Sequence, residues 1–409
     1  MLIADSHEFI ELYRGDKDIR VGIEMVHLRD DVRFASLAPD RLSPTDRDRF
    51  GATFVHEVGL PALPERMEVR LLPSVSLRFS RRESGGIVSF MPGYGRELRR
   101  LRPDVIIENP FSWLTPRSFQ THRASRALGS PVVYYDPGDD IPISRAHRIM
   151  AVWERRIVNH ASAIITFNEA GSLRFQRKYD YPAERIHVIP KPVDVPRFRY
   201  TGDISGLRAS FGADTDTLVV GYLGRLARYK GSAHLLDVAR SMGSDQDLAR
   251  KVRFVFVGAA LSSEESDADY RLANTHVTGM VPNTEVPKYL AACDVVVLPD
   301  LTSPGGFSTA AAEAMAAGKC MIVGVGSRTD FLPLVDRENA LLVEPRSPEA
   351  IEAAVRTLVT DPGLRARVAA AVGEYAARNM DYPVVASHYL EILDAVCADS
   401  HGRSARSRT

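Results

Sequence analysis

Along the second half of the chain, short apolar runs alternate with stretches whose apolar positions recur at helical spacing. The runs occupy residues 218–223, 252–257, 295–298, 320–325 and 340–343, and between them lie segments such as SAHLLDVARSM, NTEVPKYLAAC and STAAAEAMAAG. Runs that are apolar at every position mark strands covered on both faces. Strand, helix, strand in that order predicts a parallel sheet wound on both sides. The first half repeats the pattern with strands expected at 104–107, 131–135, 163–166 and 186–189, and further strands at 19–26, 32–37 and 69–72. Residues 40–64 are turn-rich and carry no clear element. Pro190, Pro192 and Pro196 in IPKPVDVPRF interrupt regular structure and mark a hinge.

The organisation expected from this pattern is two Rossmann-like domains, residues 1–195 and 196–378. A helix at 379–399 would cross back to the first domain, and a disordered polar tail would follow at 400–409. The length of 409 residues agrees, since it exceeds what one core ordinarily organises. Lys plus Arg and Asp plus Glu both number 52, so no global field favours nucleic acid. Cys293, Cys320 and Cys397 have no metal-ligand or disulfide-framework spacing, which points to the cytoplasm. The opening residues are too charged for a secretory signal, and no apolar run approaches bilayer length. The basic runs RFSRRE and GRELRRLRP leave peripheral docking to a membrane as an option beside a plain solvated face.

Two segments carry the candidate chemistry. VVGYLGRLARYKG places Arg225 and Lys230 just after an apolar run, and SPGGFSTAAAEAMAAGKC places Glu313 after another. Open α/β sheets put ligands at that point, beyond the carboxyl ends of their strands. Two cations suit a diphosphate: Arg supplies a planar fork and Lys a mobile point charge. A carboxylate suits ribose hydroxyls. Without a ligand in view, the same three residues also fit solvated positions at helix starts and surfaces. No G-x-G-x-x-G, Walker lysine loop, G-x-S-x-G or H-E-x-x-H is present.

These motifs resemble those of the retaining glycosyltransferases of the GT-B fold, in particular family 4, from about residue 100 onward. The resemblance implies an α/β architecture of two doubly wound domains whose parallel sheets face across a cleft. It implies a nucleoside-diphosphate sugar, UDP- or GDP-linked, as donor and a small-molecule, lipid or glycan hydroxyl as acceptor, with no metal. Gly224, Arg225 and Lys230 would meet the diphosphate. Gly305, Gly306, Phe307, Ser308 and Thr309 would bring backbone amides to sugar or phosphate oxygens, Glu313 would hold the ribose, and Gly279, Met280 and Val281 would lie beside the base.

The chain also departs from the family. The family's first Glu, eight positions before the second, is Gly305 here. The Asn-Gly turn of the domain-linking pattern Ile-Pro-Asn-Gly-Val-Asp has become Lys191-Pro192. Asp136 stands where relatives commonly have a His, and together with Asp139 and Asp140 it admits a metal, an acceptor contact or a plain loop. Asn109, and the pair Asn168 and Glu169, are further cleft positions implied by the resemblance. The departure at Gly305 keeps a catalytically silent nucleotide-sugar binder open as an alternative, and a GT-B epimerase beside it.

Overall fold

Strands at the centre of this fold are apolar on both faces because helices cover both sides, and the pairing follows from that. In the computed structural model the described residues are 1–6, 17–40, 63–78, 87–108, 116–136, 143, 145–260, 266–301, 308–325 and 333–406. They form two units, Met1–Pro190 with Tyr382–Thr409, and Lys191–Asp381.

The first unit carries β1 (Leu2–Ser6), β2 (Arg33–Pro39), β3 (Met67–Leu72), the hairpin β4 (Val75–Arg78) and β5 (Ile87–Phe90), β6 (Val105–Glu108), β7 (Val132–Asp136), β8 (Ala163–Thr166) and β9 (Ile186–Val188). Its seven-stranded sheet runs β3-β2-β1-β6-β7-β8-β9, and every pairing in it is parallel. Ile3 sits opposite both Phe34 and Val105, which puts β1 between β2 and β6.

The expected strand at 19–26 is instead part of the helix Lys17–Leu28. A short apolar run cannot be assigned to strand or helix by periodicity alone. Here Ile19, Val21, Ile23, Met25 and Val26 are all buried, because the helix packs against the helix Tyr382–Arg406 and shares a core with Ile3, Phe34 and Val105. Gly22 permits this close fit, since a Cβ there would lie 2.7 Å from the Phe34 ring.

The second unit carries β10 (Leu218–Leu223), β11 (Val252–Val257), β12 (Thr275–Val277), β13 (Val295–Leu298), β14 (Cys320–Gly324) and β15 (Leu341–Val343), all parallel, in the order β12-β11-β10-β13-β14-β15. One core lies on each face of this sheet, with Val219, Val255 and Val296 on one side and Val220, Phe254 and Val295 on the other.

Two boundaries differ from the sequence expectation. Residues 191–195 belong to the second unit, because Val193 N donates to Met380 O at 2.8 Å and Val195 N to the Asp381 carboxylate at 3.1 Å. The last helix starts at Tyr382, and it continues through Ser400 to Arg406 rather than giving way to a disordered tail at 400.

Val385, Ala386, Tyr389, Leu390, Leu393 and Val396 recur at helical spacing and complete the core of the first unit. Leu393 is fully buried. Leu393→Ala is therefore expected to lower the stability of this unit by about 2–5 kcal/mol. Trp113 and Trp153 are the only tryptophans and both fall within Met1–Pro190, so urea unfolding followed by tryptophan fluorescence reads it.

Candidate functional site

Strand order in the second unit reverses direction between β10 and β13: the chain winds outward one way through β11 and β12, and the other way through β14 and β15. Loops leaving the carboxyl ends of these two neighbours diverge, and such a switch point is where an open α/β sheet leaves room for a ligand. Both candidate segments leave the sheet there. The first also touches the loop that leads to the second: a Cβ on Gly231 would lie 2.8 Å from the Pro299 Cβ and 3.5 Å from that of Asp300. Gly231 takes φ +78, in the left-handed region that favours glycine.

Backbone bonds hold the first loop from several sides. Gly224, at φ +134, donates its N–H to Val257 O at 3.0 Å, and Leu226 donates to Ala259 O at 3.0 Å. The Tyr222 hydroxyl donates to the Arg225 carbonyl at 2.8 Å. Ser232 Oγ accepts from Ala227 N at 2.9 Å and bonds the Tyr270 hydroxyl at 2.8 Å. Lys230 ends a 3-10 turn, Arg228–Lys230, with its N–H on Ala227 O. Arg225 and Lys230 are thus half-buried side chains on a fixed backbone.

Gly258 joins a third segment to this loop. At φ +147 it approaches Gly224 so closely that a Cβ would stand 1.9 Å from Gly224 O. It also bridges Gly279, and its N–H meets Thr278 Oγ1 at 3.3 Å. Gly279, at φ +70, turns the chain so that Met280 is exposed while Val281 packs on the core.

Glu313 lies on the helix Thr309–Ala316, whose N-terminus is capped by Ser308 Oγ accepting from Ala311 N. Its neighbours on the helix are Ala and Met, and the carboxylate is only 8% exposed rather than solvated. Burial pushes its pKa up to about 7, and the nearby cations Arg197 and Lys191 and a hydrogen bond with Asn283 hold it from rising further. The guanidinium of Arg197 donates to the backbone and side-chain oxygens of Asn283 at 2.5 and 2.6 Å. Lys191 Nζ donates to Thr309 Oγ1 at 3.0 Å at the exposed start of the helix.

The cations acting on Glu313 therefore come from the segment 191–197. Arg197 and Asn283 were not among the expected site residues. Lys191 was visible only as a departure from the Asn-Gly turn.

Several expected site residues stand elsewhere. Gly305, Gly306, Phe307, Asn109, Asp139 and Asp140 lie outside the described residues. Asp136 ends β7 buried, where it forms an ion pair with Arg174 of the helix Glu169–Tyr179, so its carboxylate is committed inside the first unit. Asn168 caps that helix by accepting from Gly171 N at 2.9 Å. At the first unit's own switch point, between β1 and β6, Glu108 is fully buried; Ser118 Oγ donates to it at 2.6 Å and Arg117 lies 3.6 Å away. Among the described residues no cluster of His, Cys, Asp and Glu is arranged to hold a metal ion.

Two Rossmann-like units with parallel sheets define the class as GT-B, and comparison with known proteins agrees. The model for "Glycosyltransferase Family 4" matches residues 30–197 and that for "Glycosyl transferases group 1" matches residues 203–375. The chain belongs to the family 4 (group 1) glycosyltransferases.

Among curated relatives, D-inositol 3-phosphate glycosyltransferase of Corynebacterium glutamicum is 25% identical over 71% of this chain and 69% of its own. Alpha-maltose-1-phosphate synthase of Mycolicibacterium smegmatis is 29% identical over 60% and 66%, respectively. 2-Deoxystreptamine glucosyltransferase of Streptomyces kanamyceticus is 28% identical over 53% and 56%. The chain thus spans from about half to about two thirds of the length of these relatives. Among solved structures, Anabaena HepE in complex with UDP aligns with a TM-score of 0.67 at 20% identity, covering 96% of this chain and 99% of that one. A glycosyltransferase from Rickettsia africae aligns with a TM-score of 0.71 at 12% identity, covering 97% and 98%.

The environment of Glu313 has a measurable consequence. Its folded pKa, about 7, lies above the ordinary 4.5, so the folded chain binds the extra proton and stability falls as pH rises from about 4.5 to 7. Glu313→Gln removes that cost. Above pH 7 the variant is expected to be more stable than the parent by about 3 kcal/mol. The gap should close as pH approaches 4.5 in urea unfolding followed by circular dichroism.

Proposed function

We propose that this protein transfers a sugar, with retention of anomeric configuration, from a nucleoside-diphosphate donor to an acceptor hydroxyl. The observation that carries the proposal is the junction at the second unit's switch point. There the loop bearing Arg225 and Lys230 packs through Gly231 on the loop after β13, and the next helix brings in a buried carboxylate. A nucleotide requires both charge neutralisation and a polar acceptor for ribose, and residues of these two kinds follow neighbouring strands of the second sheet. The likeness to HepE, whose structures include complexes with UDP and UDP-glucose, supports a uridine nucleotide as the first donor to try.

In this scheme the bond from the anomeric carbon to the diphosphate oxygen lengthens, and negative charge builds on the leaving phosphate. Arg225 and Lys230 take up that charge, which preorganised cations do without reorganisation during the reaction. The departing phosphate oxygen accepts the acceptor's hydroxyl proton as the new glycosidic bond forms on the same face. Ionised Glu313 accepts hydrogen bonds from the ribose hydroxyls, and those bonds favour its charged form against the burial that opposes it. Met280 offers an exposed apolar surface beside the base. Because two side-chain cations serve the diphosphate, activity is expected to survive chelation by EDTA.

A second reading rests on Gly305, which stands where the family carries a carboxylate: the protein then binds a nucleotide sugar without transferring it. A panel of nucleotide sugars with candidate acceptors separates the two. Transfer, or slow release of free nucleoside diphosphate, supports the enzyme, whereas thermal stabilisation with no turnover supports the binder.

For the enzyme, Lys230→Ala is expected to lower kcat by about 10²–10³-fold, and a loss below threefold contradicts its role. Glu313→Gln is expected to weaken nucleotide binding by calorimetry although it stabilises the fold, a split that a purely structural Glu313 does not produce.

A further inference from the structure

Open α/β sheets ordinarily place ligands at the carboxyl ends of their strands. The first unit also opens at the other end of its sheet. Ser130 and Pro131 lead into β7, Ala161 and Ser162 into β8, and Arg185 into β9, and all five line one hollow of about 460 Å³. A second hollow of about 390 Å³ has His122 and Arg156 in its wall, and the two share Arg126, Asn159 and His160. Both volumes fall within the roughly 300–1,000 Å³ of small-molecule sites.

The walls carry one sign of charge. Arg126, Arg156, Arg185, His122 and His160 line them, and neither lining contains an Asp or Glu. Nearby, Arg155 pairs with Asp180 at 3.5 Å, whereas Arg126 and Arg156 form no ion pair among the described residues. These two stand in the last turns of the helices Pro116–Leu128 and Arg145–Val158, where a cation suits the helix dipole. The dipole accounts for each singly. It does not account for their convergence with Arg185 and a pair of imidazoles, the rings of His122 and His160 meeting edge-on at 4.6 Å between centroids. Burial first, and then the neighbouring cations, hold both imidazoles below their ordinary pKa: His160, Arg126 and Arg156 act on His122, and Arg126 acts on His160.

Folding fixes these walls. Ser130 Oγ donates to Pro103 O at 2.6 Å, and the Tyr181 hydroxyl donates to Ala161 O at 3.0 Å. Ser125 Oγ donates its single proton to Ser130 O at 2.6 Å, so the 3.1 Å bond between Ser125 and His160 is donated by the imidazole Nε2. Nδ1 of His160 is then the nitrogen that titrates. His122 Nδ1 is buried with no hydrogen-bond partner among the described residues. Ser400 of the last helix completes the rim, its Oγ 3.4 Å from Gly129 O.

We propose that the joined hollows bind a small soluble compound bearing two phosphoryl groups, one in each hollow. Arg126 lines both and would serve both groups, with Arg185 on one side and Arg156 and the histidines on the other. Guanidinium forks match phosphoryl oxygens, and a protonated imidazole adds a charged donor. A bound anion would replace the mutual repulsion of these cations by attraction. Pro131 and Ala161 are the only apolar residues in the two linings, so acyl chains of a lipid find no surface there. The same lack of an apolar platform disfavours a nucleotide base. None of these residues belongs to the segments assigned to the donor, and the inference does not depend on the proposed reaction.

Calorimetry of the full chain with fructose 1,6-bisphosphate at low salt tests it. Binding is expected, and saturating UDP or Lys230→Ala should leave it unchanged. Arg126→Ser with Arg156→Ser should weaken it by about tenfold or more. Both arginines are exposed, so the thermal midpoint of that variant should stay at the parent value. A second readout uses inorganic sulfate, which stays doubly charged near neutral pH. Ring-proton resonances of His122 and His160, assigned with single Gln variants, should titrate at higher pH in sulfate than in chloride of equal ionic strength, because a bound anion favours the imidazolium.

Absence of bisphosphate binding to the parent overturns the proposal, as does binding that the arginine variant leaves unchanged. Displacement by UDP also overturns it, since the bisphosphate then occupies the nucleotide site. So does capture by phosphatidylglycerol vesicles that the arginine variant abolishes while the soluble bisphosphate fails to bind, since the anion is then a headgroup. UDP binding measured in the same samples separates failure of this site from failure of the proposed reaction.

Discussion

Backbone-to-backbone contact at the second unit's switch point is the constraint on which the candidate site depends. A side chain at Gly258 would drive into the Gly224 carbonyl, and one at Gly231 would meet Pro299. These approaches hold the loop after β10 to Gly258 after β11, which bridges Gly279 after β12, and to the loop after β13. The backbone of Arg225 and Lys230 is held in place by this junction. A flexible loop bearing the same cations would have to give up conformational entropy whenever a diphosphate arrived. Here much of that ordering is done by folding.

Glu313 shows the complementary device. Its helix is built of alanine and methionine, so its carboxylate sits in an apolar setting that disfavours charge. Arg197 and Lys191 offset part of that penalty from a segment on the far side of the sequence. The result is an acid whose ionisation is nearly balanced near neutral pH, so that a few added hydrogen-bond donors are enough to shift it. Lys191, at the position where the Asn-Gly turn is absent, links the start of this unit to the first residue of that helix through Thr309.

The parts legible in the sequence were those governed by local pattern. Residues 252–257 read as a strand because every side chain there except Arg253 is apolar, and the structure pairs β11 between β10 and β12. The segments around Arg225 and Glu313 were legible because each follows such a run. The first unit was harder. Leu2–Ser6, its central strand, is short and is followed by charged residues, so no period could be counted. The helix Lys17–Leu28 was misread because its apolar residues around Gly22 also suit a short strand, although Arg20, Glu24 and His27 leave a polar stripe at helical spacing.

Partners distant in sequence left no trace either. Arg174 lies 38 residues beyond Asp136, and only the fold converts that carboxylate from a loop candidate into half of an interior ion pair. The same holds for Arg197 and Asn283 beside Glu313.

The chain's return to its first unit also sets an order of events during synthesis. Lys191–Asp381 is one continuous stretch and has all its strands once Asp381 has left the ribosome. The first unit, although translated earlier, lacks the helix that covers Ile19, Met25 and Phe34 until residues as late as Leu393 and Val396 emerge. Nascent chains usually complete their amino-terminal domain first. Here the first unit's apolar face stays uncovered until that last helix emerges.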